Sequence, residues 1–273
     1  MFICPVCKGP LDRAQQAFRC PRGHSYDLSA QGYLYLLPPN KKNSQDPGDN
    51  AEMVRGRTRF LDTGRYEPLS DALNKMLAAR CKKSPRILDA GCGEGYYAAR
   101  LFAALSAAGK EPSLIGVDIS KRAVKHAARR CPQARFAVAS LFELPVASGS
   151  VDCCYNVFSP VCAGEFARVL TPGGHFAAVY PAARHLFGLK KILYDAPYEN
   201  PEKTFELPGF EILERKRISY TFSLEGNELI ESLFSMTPYY YKTPVAGCER
   251  LKSCERLTTE ADFWLIDYVK RDV

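Results

Sequence analysis

Across its 273 residues the chain has no apolar run approaching the roughly 20 residues that span a bilayer, which excludes an ordinary transmembrane helix. No apolar signal segment follows Met1 either, because cysteines and charges begin at Cys4, and a cytoplasmic location is expected. A disulfide framework is missing too. The eleven cysteines are odd in number and irregularly spaced, which suits free thiols and a metal site in a reducing compartment. There is no large imbalance of charge: a net charge of +7 permits a polyanionic partner without requiring one. What the chain does have is enough apolar residues, 46%, to bury a substantial core.

The stretch around which the rest is organised is 86–97, Arg-Ile-Leu-Asp-Ala-Gly-Cys-Gly-Glu-Gly-Tyr-Tyr. Ile87 and Leu88 are β-type residues, and Gly91, Gly93 and Gly95 allow positive φ and close approach of a ligand to the backbone. The helical pattern that follows would turn its free N–H groups toward that ligand. The spacing differs from the dinucleotide fingerprint G-x-G-x-x-G, and Glu94 inside the loop disfavours a pyrophosphate but tolerates a cationic ligand. Leu88-Asp89-Ala90-Gly91-Cys92-Gly93-Glu94-Gly95 resembles the first motif of S-adenosylmethionine-dependent methyltransferases. A second strand, Leu114-Ile115-Gly116-Val117-Asp118, ends in an acid placed to accept ribose hydroxyls. The competing reading is a glycine loop in an unrelated α/β turn.

Near the start stand Cys4, Cys7, Cys20 and His24, spaced Cys-x2-Cys-x12-Cys-x3-His. Zinc takes four tetrahedral N and S ligands, and such a knuckle supplies two thiolates while a facing hairpin closes the cage. So short a unit buries little core, so metal binding would supply its folding free energy. A redox Cys-x-x-Cys belongs at a strand-to-helix turn of a βαβ unit, and nothing here resembles one.

Three segments are expected: a zinc ribbon over 1–37, a linker and basic helix over 38–65, and a catalytic domain over 66–273. The aromatic strand at Gly32 to Leu37 is expected to pack on the ribbon. Pro38 to Asn50 is almost without apolar residues and reads as a linker. Arg55, Arg57 and Arg59 follow on a predicted helix, either as phosphate contacts or as a solvated face. From 66 onward helices alternate with strands: helices at 69–81, 97–108, 121–131 and 164–170, strands at 86–90, 114–118, 135–139, 151–157 and 175–180. This order predicts a doubly wound α/β (Rossmann-like) sheet with its ligand at the carboxyl ends of the strands. Phe210 to Phe222 and Phe263 to Val269 can add an antiparallel pair.

The fold leaves the acceptor open, so the acceptor has to be sought in what is grafted onto it. The ribbon spacing, Gln31-Gly32-Tyr33 with Leu36-Leu37-Pro38, Asp46-Pro47-Gly48-Asp49 with Ala51-Glu52-Met53, Phe60-Leu61-Asp62 with Gly64, Tyr66 and Pro68-Leu69, Gly91 to Tyr97, Arg184-His185-Leu186 and Met236-Thr237-Pro238 together resemble the bacterial 23S ribosomal RNA (guanine-N1)-methyltransferases. The likeness covers nearly the whole chain. It implies S-adenosylmethionine and zinc as cofactors, a hairpin of 23S ribosomal RNA as substrate, and a homodimer.

The resemblance implies a cofactor site of Tyr66, Asp89, Gly91, Gly93, Glu94, Gly95, Tyr96, Tyr97, Asp118 and His185, while Arg55, Arg57 and Arg59 are candidates for RNA from their place between ribbon and cofactor loop. Duller readings accompany three of these: Tyr66 as a packing residue at a helix start, His185 as an exposed helix residue, and Asp89 as a support for the glycine loop. Asn156-Val157-Phe158-Ser159-Pro160 departs from the Asn-Pro-Pro-aromatic motif of enzymes that methylate exocyclic amines, which weighs against those acceptors. Phe158 is either a stacking platform for a base or core. No general base can be named. The alternatives to a guanine-N1 acceptor are another RNA base or a small molecule.

Overall fold

The computed structural model describes residues 1–39, 48–201 and 204–271; residues 40–47 of the expected linker, with Asp46 and Pro47 of the family match, lie outside the described residues. Its strands form two sheets. The small one holds β1 (Asp12–Ala14), β2 (Ala17–Arg19) and β3 (Ser25–Asp27), antiparallel in that order.

The large sheet is built from β4 (Tyr33–Tyr35), β5 (Arg86–Ala90), β6 (Ser113–Asp118), β7 (Arg135–Val138), β8 (Val151–Val157), β9 (Leu170–Pro181), β10 (Phe210–Glu225) and β11 (Arg256–Lys270). Their order is β10-β11-β9-β8-β5-β6-β7-β4, parallel from β9 to β4 and antiparallel at the β10 and β11 edge. Parallel strands covered on both faces must be apolar on both. Ile87 belongs to one core and Leu88 to the other, each fully buried. One core carries α1 (Ala51–Leu61), α2 (Glu67–Arg80), α3 (Tyr96–Ala107) and α4 (Lys121–Arg130); the other carries α5 (Ala163–Val169) and the apolar side chains of the ribbon. The remaining helices are α6 (Phe187–Leu193), α7 (Asn227–Ser235) and α8 (Val245–Lys252). Strand order reverses between β5 and β8, and the crevice at that switch point is where α/β sheets hold ligands.

Two expectations change. The aromatic strand does more than pack on the ribbon: Leu34 bridges Leu28 and shares a core with Phe2, Leu11 and Phe18, while β4 also lies parallel to β7, Tyr33 opposite Phe136 and Tyr35 opposite Val138. An open sheet edge satisfies its peptide groups while Tyr33 and Leu34 point into opposite cores. The strand expected at 175–180 begins earlier, at Leu170, and residues 171–174 interrupt its pairing, since Val151 pairs with Leu170 and Cys153 with His175. The arginine-bearing helix α1 is capped by Asn50, whose Oδ1 accepts from the Met53 N–H at 2.9 Å, and it buries Phe60 and Leu61. Gly56 lets α1 approach α7 closely; a Cβ there would meet Ser235 Oγ at 2.2 Å. Among the described residues no helix is long and apolar enough to cross a membrane.

Candidate active site

The ribbon brings its four expected ligands together. The donor atoms of Cys4, Cys7, Cys20 and His24 all lie within 4.8 Å of one another. Cys7 Sγ to Cys20 Sγ is 3.5 Å, Cys20 Sγ to His24 Nδ1 3.2 Å, and Cys4 Sγ to His24 Nδ1 3.6 Å. Zinc with ligands at about 2.0 to 2.3 Å gives a tetrahedron with edges of roughly 3.5 to 3.8 Å, so the cage has the right size. No spacing rule pointed to Tyr26, whose hydroxyl lies 3.1 Å from Cys4 Sγ and would orient that thiolate from outside the cage.

At the switch point opens a cavity of about 920 Å³. Of the expected residues, Tyr66, Gly91, Gly93, Glu94, Tyr96, Tyr97, Asp118 and His185 line it. Its three loop glycines have φ of +90, +51 and +86, but they serve different contacts. A Cβ on Gly91 would meet Ser159 Oγ at 2.1 Å, and one on Gly95 would meet Ala127 at 2.7 Å, so these two allow close packing. Only Gly93 faces open space, with Arg57 at 3.7 Å as its neighbour. Asp118 accepts from the Gly93 N–H at 2.9 Å and the Ser120 N–H at 2.8 Å. Each carboxylate oxygen keeps a lone pair for a further donor, such as a ribose hydroxyl. Burial raises its pKa, and the two N–H bonds oppose that. Tyr96 and Tyr97 line the cavity, while their hydroxyl oxygens are buried out of reach of solvent and make no hydrogen bond.

Five expected residues behave differently from the rest. Asp89 does not reach the cleft. It is buried behind the glycine loop, accepts the Tyr155 hydroxyl at 2.7 Å, and burial pushes its carboxyl up to about 8. Glu94 does reach it; its Oε2 lies 3.1 Å from Arg130 Nε as an ion pair but makes no hydrogen bond, and burial raises its pKa while Arg130 opposes that. The three arginines do not form one patch, because positions two apart on a helix are turned by about 200°. Arg57 pairs with Asp49 at the cleft, Arg59 pairs with Glu228 of α7 at 2.9 Å, and Arg55 is exposed.

The far wall brings together Phe158, His185, Met236 and Thr237, which the sequence had singled out, with Asn200, which it had not. Phe158 is 43% exposed at the exit of β8 and has φ of +59, which is costly for an aromatic residue. Asn156 pins this turn by donating from Nδ2 to Ala90 O at 3.0 Å and to Ser159 Oγ at 2.6 Å. The ring lies nearly parallel to His185, with centroids 6.2 Å apart. His185 is buried, and burial pushes its pKa down to about 3, with Asp262 opposing. Its Nδ1 accepts from the Asp262 N–H at 3.4 Å, which leaves the proton on Nε2, 3.5 Å from the Tyr66 hydroxyl. Asn200, Met236 and Thr237 also line this end. Asn200 carried no signal because its segment lacks any periodicity.

Residues 2–45 match the zinc-ribbon family described as RlmA, N-terminal, and residues 87–174 match a methyltransferase domain family. The chain is 38% identical over 207 residues to a 23S rRNA (guanine-N1)-methyltransferase of Micromonospora griseorubida, covering 68% of this chain and 67% of that protein. It is 33% identical to the 23S rRNA (guanine(748)-N1)-methyltransferase of Streptomyces fradiae, covering 83% and 81% respectively. With a 23S rRNA (guanine-N1)-methyltransferase of Bacillus subtilis it shares 30% identity over 275 residues, 96% of this chain and 95% of that one. The cofactors are those that the two domains and their sites indicate, S-adenosylmethionine and zinc. With a zinc ribbon joined to a doubly wound methyltransferase fold and relatives that match along most of its length, this chain belongs to the 23S rRNA (guanine-N1)-methyltransferase family.

Proposed function

We propose that the protein methylates N1 of a guanine in a hairpin of 23S ribosomal RNA. The observation that carries this reading is the single cavity shared by the glycine loop on one side and the strained, exposed Phe158 on the other. S-adenosylmethionine, when bound, supplies a methyl group on a sulfonium. Gly93 and Asp118 would hold it, beside the side chains of Tyr96 and Tyr97. Phe158 would stack the acceptor base, and His185, neutral with its proton on Nε2, offers a donor without a positive charge. Asp49, Glu94 and Asp118 are each already engaged by Arg57, Arg130 or backbone N–H groups, so the chain contributes positioning more than a free carboxylate base.

The ribbon and Arg55 would contact RNA phosphates, while the place of Arg57 beside Gly93 favours a cofactor role for it. A ribosomal RNA substrate implies the cytoplasm. The homodimer rests on the family resemblance alone, and light scattering tests it. For the reaction, 23S ribosomal RNA from cells lacking the protein is incubated with labelled S-adenosylmethionine and digested to nucleosides. N1-methylguanosine is expected; label in another nucleoside, or only in small molecules, overturns the reading.

A further inference from the structure

Beside the acceptor end of the cavity lies a fully buried lysine, Lys190 of α6, that meets no carboxylate within ion-pair distance among the described residues. Its Nζ donates to Tyr198 O at 2.9 Å and to Asn200 Oδ1 at 2.8 Å, and it lies over the Tyr198 ring at 4.2 Å and the Tyr239 ring at 5.4 Å. A buried ammonium is costly, and here carbonyls and aromatic faces alone hold it. Burial lowers its pKa and nearby Glu199 opposes that; the other titratable group near it is neutral His185. On the neighbouring elements, Arg184 pairs with Glu199 and Glu260, and Arg250 with Asp195, all at the surface.

Lys190 also settles which way Asn200 points. An ammonium only donates, so the amide oxygen faces it; Nδ2 then donates to Ala182 O at 2.8 Å, and the Asn200 N–H donates to Ala183 O at 2.8 Å. Both contacts require the same orientation. Asn200 lines the cavity, and one of its two Nδ2 hydrogens remains beyond the bond to Ala182 O. A fixed donor suits a 6-oxo purine and not a 6-amino purine.

We propose that Asn200 donates its remaining N–H to O6 of the acceptor guanine, and that Lys190 behind it is a positioning residue whose charge stabilises the oxyanion character O6 gains as N1 loses its proton. The inference rests on the guanine-N1 reading above. In the step, the N1–H bond breaks and the proton passes to water. The freed electron pair forms the N1–methyl bond, and the old carbon–sulfur pair remains on sulfur. A positive charge at the end of the Asn200 amide makes that amide a stronger donor in a site screened from solvent.

The test is single-turnover methylation of 23S ribosomal RNA between about pH 6 and pH 9.5 by wild type, Lys190→Met, Lys190→Arg and Asn200→Leu, with calorimetry of S-adenosylmethionine binding as the control for folding. Lys190→Met should move the rise of rate with pH upward by about one unit or more, so that a tenfold or larger defect near neutrality shrinks at high pH. Lys190→Arg should restore most of the rate. Asn200→Leu should lose about 10- to 100-fold at unchanged cofactor affinity. If Lys190→Met is equally impaired at every pH, or unimpaired, Lys190 is packing only and the proposal fails. If Lys190→Met fails to bind cofactor, Asn200→Leu decides, and a wild-type rate in it overturns the proposal. A wild-type product other than N1-methylguanosine instead overturns the functional reading itself.

Discussion

The ribbon and the cavity solve the problem of assembling a site in opposite ways. The ribbon's ligands fall within Cys4 to His24, and its cage is set by two short turns. The cavity draws on residues from Gly48 to Tyr241, carried by the loop after β5, the end of β6, the exit of β8 and the segments around α6 and α7. A local site depends on its metal, whereas a distributed one depends on the sheet beneath it. Damage to the first should therefore stay local, and damage to the second should appear as graded changes in binding.

The largest effect is expected from Cys7→Ser. Structural zinc contributes on the order of 10 kcal/mol to folding a unit of this kind, so the variant should lose its metal and the order of residues 1–28. Metal analysis and calorimetry check it: zinc absent while S-adenosylmethionine still binds is the expected result, and loss of both would show that the two regions are not independent.

Next comes His185. Its folded pKa of about 3 lies below the ordinary value of 6.5, so in that window the unfolded chain binds the extra proton and stability falls as pH falls. The contribution is present above about pH 6.5 and lost toward pH 3, on the order of a few kcal/mol. Urea melts of wild type and His185→Phe should converge as pH falls through that range, and parallel curves would remove His185 as the cause.

Asp118→Ala should weaken S-adenosylmethionine binding by about 1 to 3 kcal/mol, because the Gly93 and Ser120 N–H groups lose their acceptor as well. Calorimetry that gives wild-type affinity would count against the ribose assignment. Phe158→Gly should relieve roughly 1 kcal/mol of backbone strain while removing a stacking surface worth about 1 to 3 kcal/mol per base. A thermal midpoint near that of wild type with kcat/KM for RNA reduced about tenfold or more is expected, and unchanged kcat/KM would make the ring mere core. The smallest effect concerns Arg55→Ala, which should reduce the salt slope of RNA binding by about one unit, whereas Arg57→Ala should act on cofactor affinity instead. The opposite pattern would return Arg57 to the RNA path.

Much of this was legible wherever a signal was local. The strand Val151 to Val157 and the zinc spacing were read from neighbouring residues alone, and both appear as expected. Asp118 was legible as an acid at the end of an apolar strand, and the structure sets it on the cavity wall. Asp89 was harder to place, since whether a carboxylate at a strand end faces a ligand or Tyr155 depends on a residue 66 positions away. The three arginines looked alike in sequence, but the helix sets Arg57 at the cleft and leaves Arg55 and Arg59, four residues apart, on its exposed face.

By itself, then, the sequence determined the metal cage, the alternation of strands and helices, and the glycine loop, since each depends on the conformational preferences of adjacent residues. Only the tertiary structure decided that Tyr33 to Tyr35 would close the edge of the large sheet, that Asp89 would lie behind the loop, and that Lys190 would orient Asn200. Those outcomes depend on which backbone groups and buried charges remain without partners once distant segments have packed, and no window of neighbouring residues contains that information.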